Sequence, residues 1–435
     1  MPELKTIRQA IRPLLMVNFL FGMGVFEFKK KQSHKIIEYV YTLFYLVLYI
    51  SVNKFLLPFC NTLLLSHAIE LNRGMFNGIF YINAILMSAL VVTSRITAKT
   101  LGKVIVLVES CDQTMENIGL PKRYHSLFLH QVRGYGICGF FIMLIALEFF
   151  YWHLTESMIF FSLILALLSH APLLLITICD VSFCFWVNKY LKLKFHQLNQ
   201  LLHGMLTTTS DSPQHKRVLE MQYDFENKKF TSFRNHHVRG SNANANTMRA
   251  VKQIHLELIK IARTMNAAYG IQILLMVTVS FIIITSLFYL FYRILWLDLN
   301  TTEFLRTTMP TCCWIFTYTL KIFYINHVCA KTSAEAANAG DIICELYEPS
   351  TSREFRAEIR DFTLQLIQNP LIFTACGFFD MDHAFIQGVV GSITTYLVIL
   401  IQVGDMTKPQ QFPNSTIYGE HFNQTVSTLQ VDIST

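Results

Sequence analysis

Apolar residues in this chain gather into blocks of roughly 20, the length a helix needs to cross a ~30 Å hydrocarbon core. Seven such blocks are present, and each predicts a membrane span. They run from Ile36 to Asn53, Gly74 to Ser94, Gly134 to His153, Ser157 to Cys179, Met265 to Leu295, Met309 to Val328 and Ala384 to Val403. Runs of β-branched residues such as "VTVSFIIITSLF" do not argue against helix here, because in lipid the backbone must satisfy its hydrogen bonds within its own segment or in a closed barrel. An earlier apolar stretch, residues 13–28, is followed directly by lysines and lacks a small-residue cleavage site. It predicts an amphipathic or re-entrant surface helix in place of a signal peptide.

Between the blocks the pattern changes character. Residues 204–248 are polar and of low complexity, which predicts partial disorder. Residues 249–264 repeat apolar positions at helical spacing and lead straight into the fifth span. The fourth span continues as "FWVNKYLKLKFHQLNQLL". In residues 353–368, Phe355, Ile359, Phe362 and Leu366 make one apolar stripe. Spans four to seven therefore project helices beyond the membrane, either as a packed anchoring bundle or as helices lying on the leaflet.

Composition agrees with an all-α polytopic membrane protein: 52% of the 435 residues are hydrophobic and 15% charged, against about 25% charged in an ordinary soluble chain. The net charge of +7 is read by its location, and no nucleic-acid partner follows from it. If the N-terminus is cytosolic, 29 of the 36 lysines and arginines fall on the cytosolic side and 5 on the other. That asymmetry fixes the orientation, with residues 404–435 an extracellular tail. The three glycosylation triplets, at Asn300, Asn414 and Asn423, all fall outside under the same topology. This inverts the arrangement of a G-protein-coupled receptor, whose helix-end motifs are also missing. The ten cysteines show neither zinc nor disulfide spacing. No metal is expected at His236–His237, no cofactor is implied, and no catalytic motif is present.

Thr395 and Tyr396 are followed by five apolar residues, Leu397 to Ile401, and then Gln402. This resembles the C-terminal signature of insect gustatory receptors, with Val403 where that family usually has phenylalanine. Upstream, "FTACGFFDMDHAFIQGVVGSITTY" is similar to the family's approach to its last helix, and "NAAYGIQILLMVTVSFI" and "AEAANAGDII" are similar to its earlier segments. The likeness covers residues 250–403 well and the first half by topology only. It implies a homotetrameric ligand-gated cation channel of sensory-neuron plasma membranes, with no enzymatic activity, opened by a small-molecule tastant and open to co-receptor subunits. On that pattern residues 1–35 are a cytosolic segment, 36–328 a ligand-binding domain, 329–383 an anchor region and 384–403 the pore helix. "ACGFFDMD" and the aromatic bias lean toward a non-sugar branch.

Outward travel puts Ile399, Gln402 and Val403 near the extracellular mouth. The expectation is a gate of Ile399 and Val403 that closes by dewetting, with the Gln402 amide turned to the lumen or a subunit neighbour. Thr395 and Tyr396 are expected to pack against the anchor. A ligand is expected among Glu148, Tyr151, Trp152, His170, Tyr289, Tyr292, Trp314, Tyr318 and Lys321, the aromatic and polar residues of the outer half. An aromatic belt at the membrane surface is the competing reading. Lys321, near mid-membrane, must pair or meet water, and Glu148 is the expected partner ahead of Asp180. A solute transporter would show broken helices and paired halves, and a metabotropic receptor would act through its cytosolic loops. Ligand-evoked current in excised patches separates both from a channel.

Overall fold

A computed structural model describes residues 6–24, 32–64, 70–152, 171–208, 234–296, 300–347 and 352–406. Two short helices, α1 (Ile7–Ala10) and α2 (Arg12–Leu20), precede long ones: α3 (Gln32–Leu64), α4 (Glu70–Asn117) and α5 (Tyr124–Trp152). Helix α6 (Ala171–Cys184) passes through a π-helical stretch, Phe185–Leu191, into α7 (Lys192–Thr208). Then come α8 (Arg234–Leu295), α9 (Thr301–Leu346), α10 (Arg353–Gln368) and α11 (His383–Met406). Among the described residues no β-strand longer than a single bridge forms.

Helix α8 is the post around which the rest assembles, touching α4, α7, α9, α10 and α11. Its buried stripe reads Met248, Val251, His255, Leu258, Ala262, Met265, Tyr269, Gln272, Met276 and Ser280. That spacing of three and four keeps one face inward from Met248 to Ser280. Among the described residues six helices are long and apolar enough to cross a membrane. Residues 309–328 of α9 are not among them, since Lys321, Asn326 and two tyrosines lower their mean hydropathy.

The projecting bundle includes one helix the sequence pattern misses. Helix α4 does not stop at Ser94 but runs unbroken to Asn117, burying Val104, Ile105, Val108 and Met115. Asp112 lies within that apolar stripe, fully buried. Its carboxylate receives Lys194 Nζ at 2.8 Å, Tyr124 Oη at 2.9 Å and Tyr190 Oη at 3.1 Å. The π-helical stretch carries Tyr190 to this point and buries Phe185, Trp186 and Leu191 on successive sides. Of the segment 204–248, residues 204–208 and 234–248 are helical, and 209–233, where the expected partial disorder would fall, lie outside the described residues.

The N-terminal segment packs one face into the bundle, while Met16, Phe19 and Leu20 stay exposed on the other. Ile7, Ala10, Ile11 and Leu14 are buried. The chain breaks at Ile11 ahead of Pro13, and the Gln131 amide fills the gap. It accepts from Leu14 N and donates to Ala10 O, both at 3.1 Å. Those two backbone groups would otherwise bond each other, so the inserted side chain satisfies both at a bend. Tyr45 and Tyr49 of α3 donate their hydroxyls to Leu20 O and Phe21 O.

Helix α10 lies against α8 through Phe355, Ile359 and Phe362, the stripe expected from sequence, with Leu366 half-buried. Glu358 closes the contact, 2.7 Å from Arg249 Nη2 and 2.6 Å from Lys252 Nζ. Burial pushes its carboxyl up, but the hydrogen bonds from Lys252 and Arg249 outweigh that and hold it below the usual glutamate range. A depressed carboxylate adds stability that is complete above about pH 4.5 and is lost as the pH falls. Glu358→Gln is expected to lower stability by about 1–2 kcal/mol at neutral pH. It should also flatten the acid limb of a melting-temperature profile taken across pH 3–6; an unchanged limb would assign that limb to other groups.

Candidate functional site

The loop before α11 decides where the last helix begins. Thr374 and Asp380 pair across a tight turn in which Cys376 and Gly377 take positive φ, 53° and 79°. Asn266 of α8 grips the loop by bonds to Thr374 Oγ1 and Thr374 N. Gly270, one turn further on, has no side chain to keep Cys376 away: a Cβ there would stand 3.2 Å from Cys376 N. Asp382 then caps α11 by accepting from Phe385 N at 2.8 Å.

Helix α11 packs through Ile386, Val389, Ile393 and Leu397 against α8 and α9. Tyr396 meets Phe281 of α8 edge-on at 5.9 Å, and Thr395 Oγ1 bonds Gly391 O on its own helix. Neither touches the anchor helix α10, contrary to expectation, because both lie three turns or more beyond the loop. The opposite face holds Gly388, Gly391, Thr395 and Gln402, all exposed and spaced three, four and seven residues apart. Ile399 flanks that face, 46% exposed, with Val403, 49% exposed, further round. At 100° per residue Gln402 and Val403 cannot share one line along the helix, whereas Ile399 lies between them.

Between α8, α9 and α11 sits an apolar cleft of about 340 Å³, lined among others by Phe288, Thr319, Ile322, Phe323 and Val390. On the far side of α9 lies a polar cluster. Trp314 stacks on Tyr318 with centroids 5.9 Å apart, and Lys321 Nζ lies 6.0 Å above the Tyr318 ring. Lys321 Nζ is also 3.2 Å from Asp180 Oδ2. The expected partner, Glu148, gives way to Asp180. Helix α9 starts at Thr301, not Met309, so Lys321 lies about 30 Å along it and draws level with Asp180. Charge attracts across that distance, yet the alignment is poor: Asp180 Oδ1 and Oδ2, Lys321 Nζ and Tyr318 Oη are all buried without a hydrogen-bond partner among the described residues. The cluster therefore has unused donors and acceptors in a place where they are costly.

The other expected ligand residues scatter. Tyr292 pairs with the exposed Trp296 at 6.2 Å. Tyr289 is buried with its hydroxyl against Gly404 of α11. Glu148, Tyr151 and Trp152 end α5, their side chains outside the described residues, as are His170, Asn414 and Asn423. Asn300 is exposed at the start of α9. The Gly404 contact gives a test: a Cβ there would collide with Tyr289 Oη. Gly404→Ala is expected to lower stability by about 1–3 kcal/mol, and Tyr289→Phe in the same chain should restore most of it in a thermal melt.

A family model described as 7tm chemosensory receptor matches residues 11–407. Gustatory receptor 68a of Drosophila melanogaster is 30% identical over 144 residues, 33% of this chain and 36% of that one. Putative gustatory receptor 28b of the same species is 25% identical over 174 residues, 39% of this chain and 37% of that one. The species' gustatory receptor for bitter taste 66a is 28% identical over 152 residues, 34% and 29% of the two chains. Each alignment thus spans about a third of the relative's length. The solved olfactory receptor OR5 from Machilis hrabei superposes with a TM-score of 0.58 at 14% identity, over 91% of this chain and 98% of that one. Its complex with eugenol gives 0.55 at 15% identity over the same shares.

Proposed function

The chain belongs to the 7tm chemosensory receptor family, and on that premise we propose that it is a gustatory receptor working as a tastant-gated cation channel. It is a receptor and not an enzyme. The observation that carries the reading is the exposed face of α11, where Gly388, Gly391, Thr395 and Gln402 interrupt an otherwise apolar helix. Lipid gives no partner to the Gln402 amide, whereas four copies of this face around one axis would enclose water. Ile399 then forms the narrowest ring and closes it by dewetting, with Val403 at its shoulder and Gln402 ready to meet hydrated cations.

The ligand is assigned to the Trp314–Tyr318–Lys321–Asp180 cluster. A flat molecule with hydroxyl or carbonyl groups stacks on Trp314 and takes up the unused hydrogen bonds. Eugenol, bound in the complex of the related olfactory receptor, is a molecule of that description. Helix α9 stands between this cluster and the cleft behind α11, so a ligand that repositions α9 shifts the pore helix. It does so only by its preference for the open arrangement. A non-sugar tastant is favoured, a homotetramer in the sensory-neuron plasma membrane is the assembly, and the N-terminus faces the cytosol. Residues 329–383 anchor the subunits, and Asn300 is the described glycosylation site on the outside.

The test places single cysteines at Ile399 and Gln402 in a background where the exposed Cys312, Cys344 and Cys376 are replaced. In excised patches, a panel of alkaloids and sugars should evoke current, and active tastants should speed modification by a charged thiol reagent at least tenfold. Inert cysteines during evoked current would remove α11 from the conduction path.

A further inference from the structure

Helix α10 sorts its charges by face. Glu358 and Asp361 look toward α8, where Lys252 reaches both, at 2.6 Å and 4.0 Å. Arg353, Arg356 and Arg360 lie on the other side and line a cleft of about 710 Å³ between α10 and the end of α9. Ile343, Cys344 and Tyr347 of α9 and its exit form the facing wall. Among the described residues lining this cleft there are three arginines and no carboxylate. Arg353 opens α10, whose first turn is capped by Ser352 Oγ accepting from Phe355 N at 3.2 Å. The positive end of the helix dipole therefore adds to the same field.

We propose that this cleft binds a compact polyphosphate anion of the inositol-phosphate class. Arg353 and Arg360, seven residues apart on one helix face, set two guanidinium forks within about 10 Å of each other, a spacing matched to phosphates carried on one small ring. Guanidinium binds phosphate through two parallel hydrogen bonds, which a lysine cannot reproduce. A cleft of this volume fits a small ligand, and the Tyr347 hydroxyl supplies a neutral donor at its edge. An acidic helix from a neighbouring copy would instead need an extended groove. The same chemistry reaches the cleft from two sources, as a free inositol phosphate or as a phosphoinositide headgroup. Either one bridges α9 and α10, so occupancy raises the melting temperature.

The experiment uses the full-length assembled receptor, with inositol hexakisphosphate in detergent as one probe and phosphatidylinositol 4,5-bisphosphate in nanodiscs as the other. Saturable binding of either probe is expected, weakened at least tenfold in R353Q/R360Q and unchanged in the exposed α9 control K331Q. A response to the soluble probe assigns the free anion, and a response confined to nanodiscs assigns the headgroup. Arg353→Lys/Arg360→Lys should bind at an intermediate level, because charge persists while the forks are lost. The proposal is overturned if neither probe saturates, or if R353Q/R360Q binds within twofold of the parent. It is equally overturned if that variant changes only the number of copies in the assembly, since the arginines would then serve a protein neighbour. Melting temperature without probe checks that the variants fold.

Discussion

Replacing Lys321 with methionine is expected to cost about 3–5 kcal/mol of stability, because it strands the buried Asp180 carboxylate without its cation. Asp180→Leu alone should do similar damage by stranding Lys321. The double variant Lys321→Met/Asp180→Leu is expected to recover most of the loss, since two apolar side chains of similar size replace a pair whose desolvation nearly cancels its attraction. Melting temperatures of the four purified forms make the cycle. Recovery of the fold without recovery of tastant-evoked current separates a binding role from a structural one. Equal melting temperatures in the wild type and both single variants would show that the two charges are not coupled.

Asp112→Ala is the second large effect. It removes the acceptor for Lys194 and for both tyrosine hydroxyls at once, leaving a 5%-exposed ammonium uncompensated. The expected loss is about 3–5 kcal/mol, seen as a lower melting temperature and poor recovery of assembled receptor. Lys194→Met in the same chain should restore part of it, because the stranded charge is then gone. An Asp112→Ala protein as stable as the parent would mean that water reaches Lys194 and that the buried tetrad contributes little.

Much of this architecture is legible in the sequence, and the reasons differ by region. The spans announce themselves because lipid demands long apolar runs. The Phe355–Phe362 stripe announces α10 because one packed face repeats at helical period. Helix α4 beyond Ser94 is harder: its charged residues at Arg95, Lys99 and Lys103 look like a loop, while Val104, Val108 and Met115 bury the opposite side. Asp112 carried a faint signal, a carboxylate inside that apolar stripe. The Gln131 amide that closes the bend after Ala10 lies more than a hundred residues away, beyond the reach of local pattern. Asp180 was misplaced for a simpler reason. The apolar runs end before α6 and α9 do, so position along a run does not give depth along the helix.

Helix α9 is a single rod of 46 residues, with Tyr318 in the polar cluster and Cys344 at the arginine cleft. The stretch between them is about 39 Å of continuous helix, with no proline to break it. A tilt of about 3° near Tyr318 would sweep the far end by about 2 Å, by the rise of 1.5 Å per residue. Leverage of that kind makes the two ends answer to each other: whatever clamps the far end stiffens the pivot, and a molecule wedged at the pivot loosens or tightens the clamp.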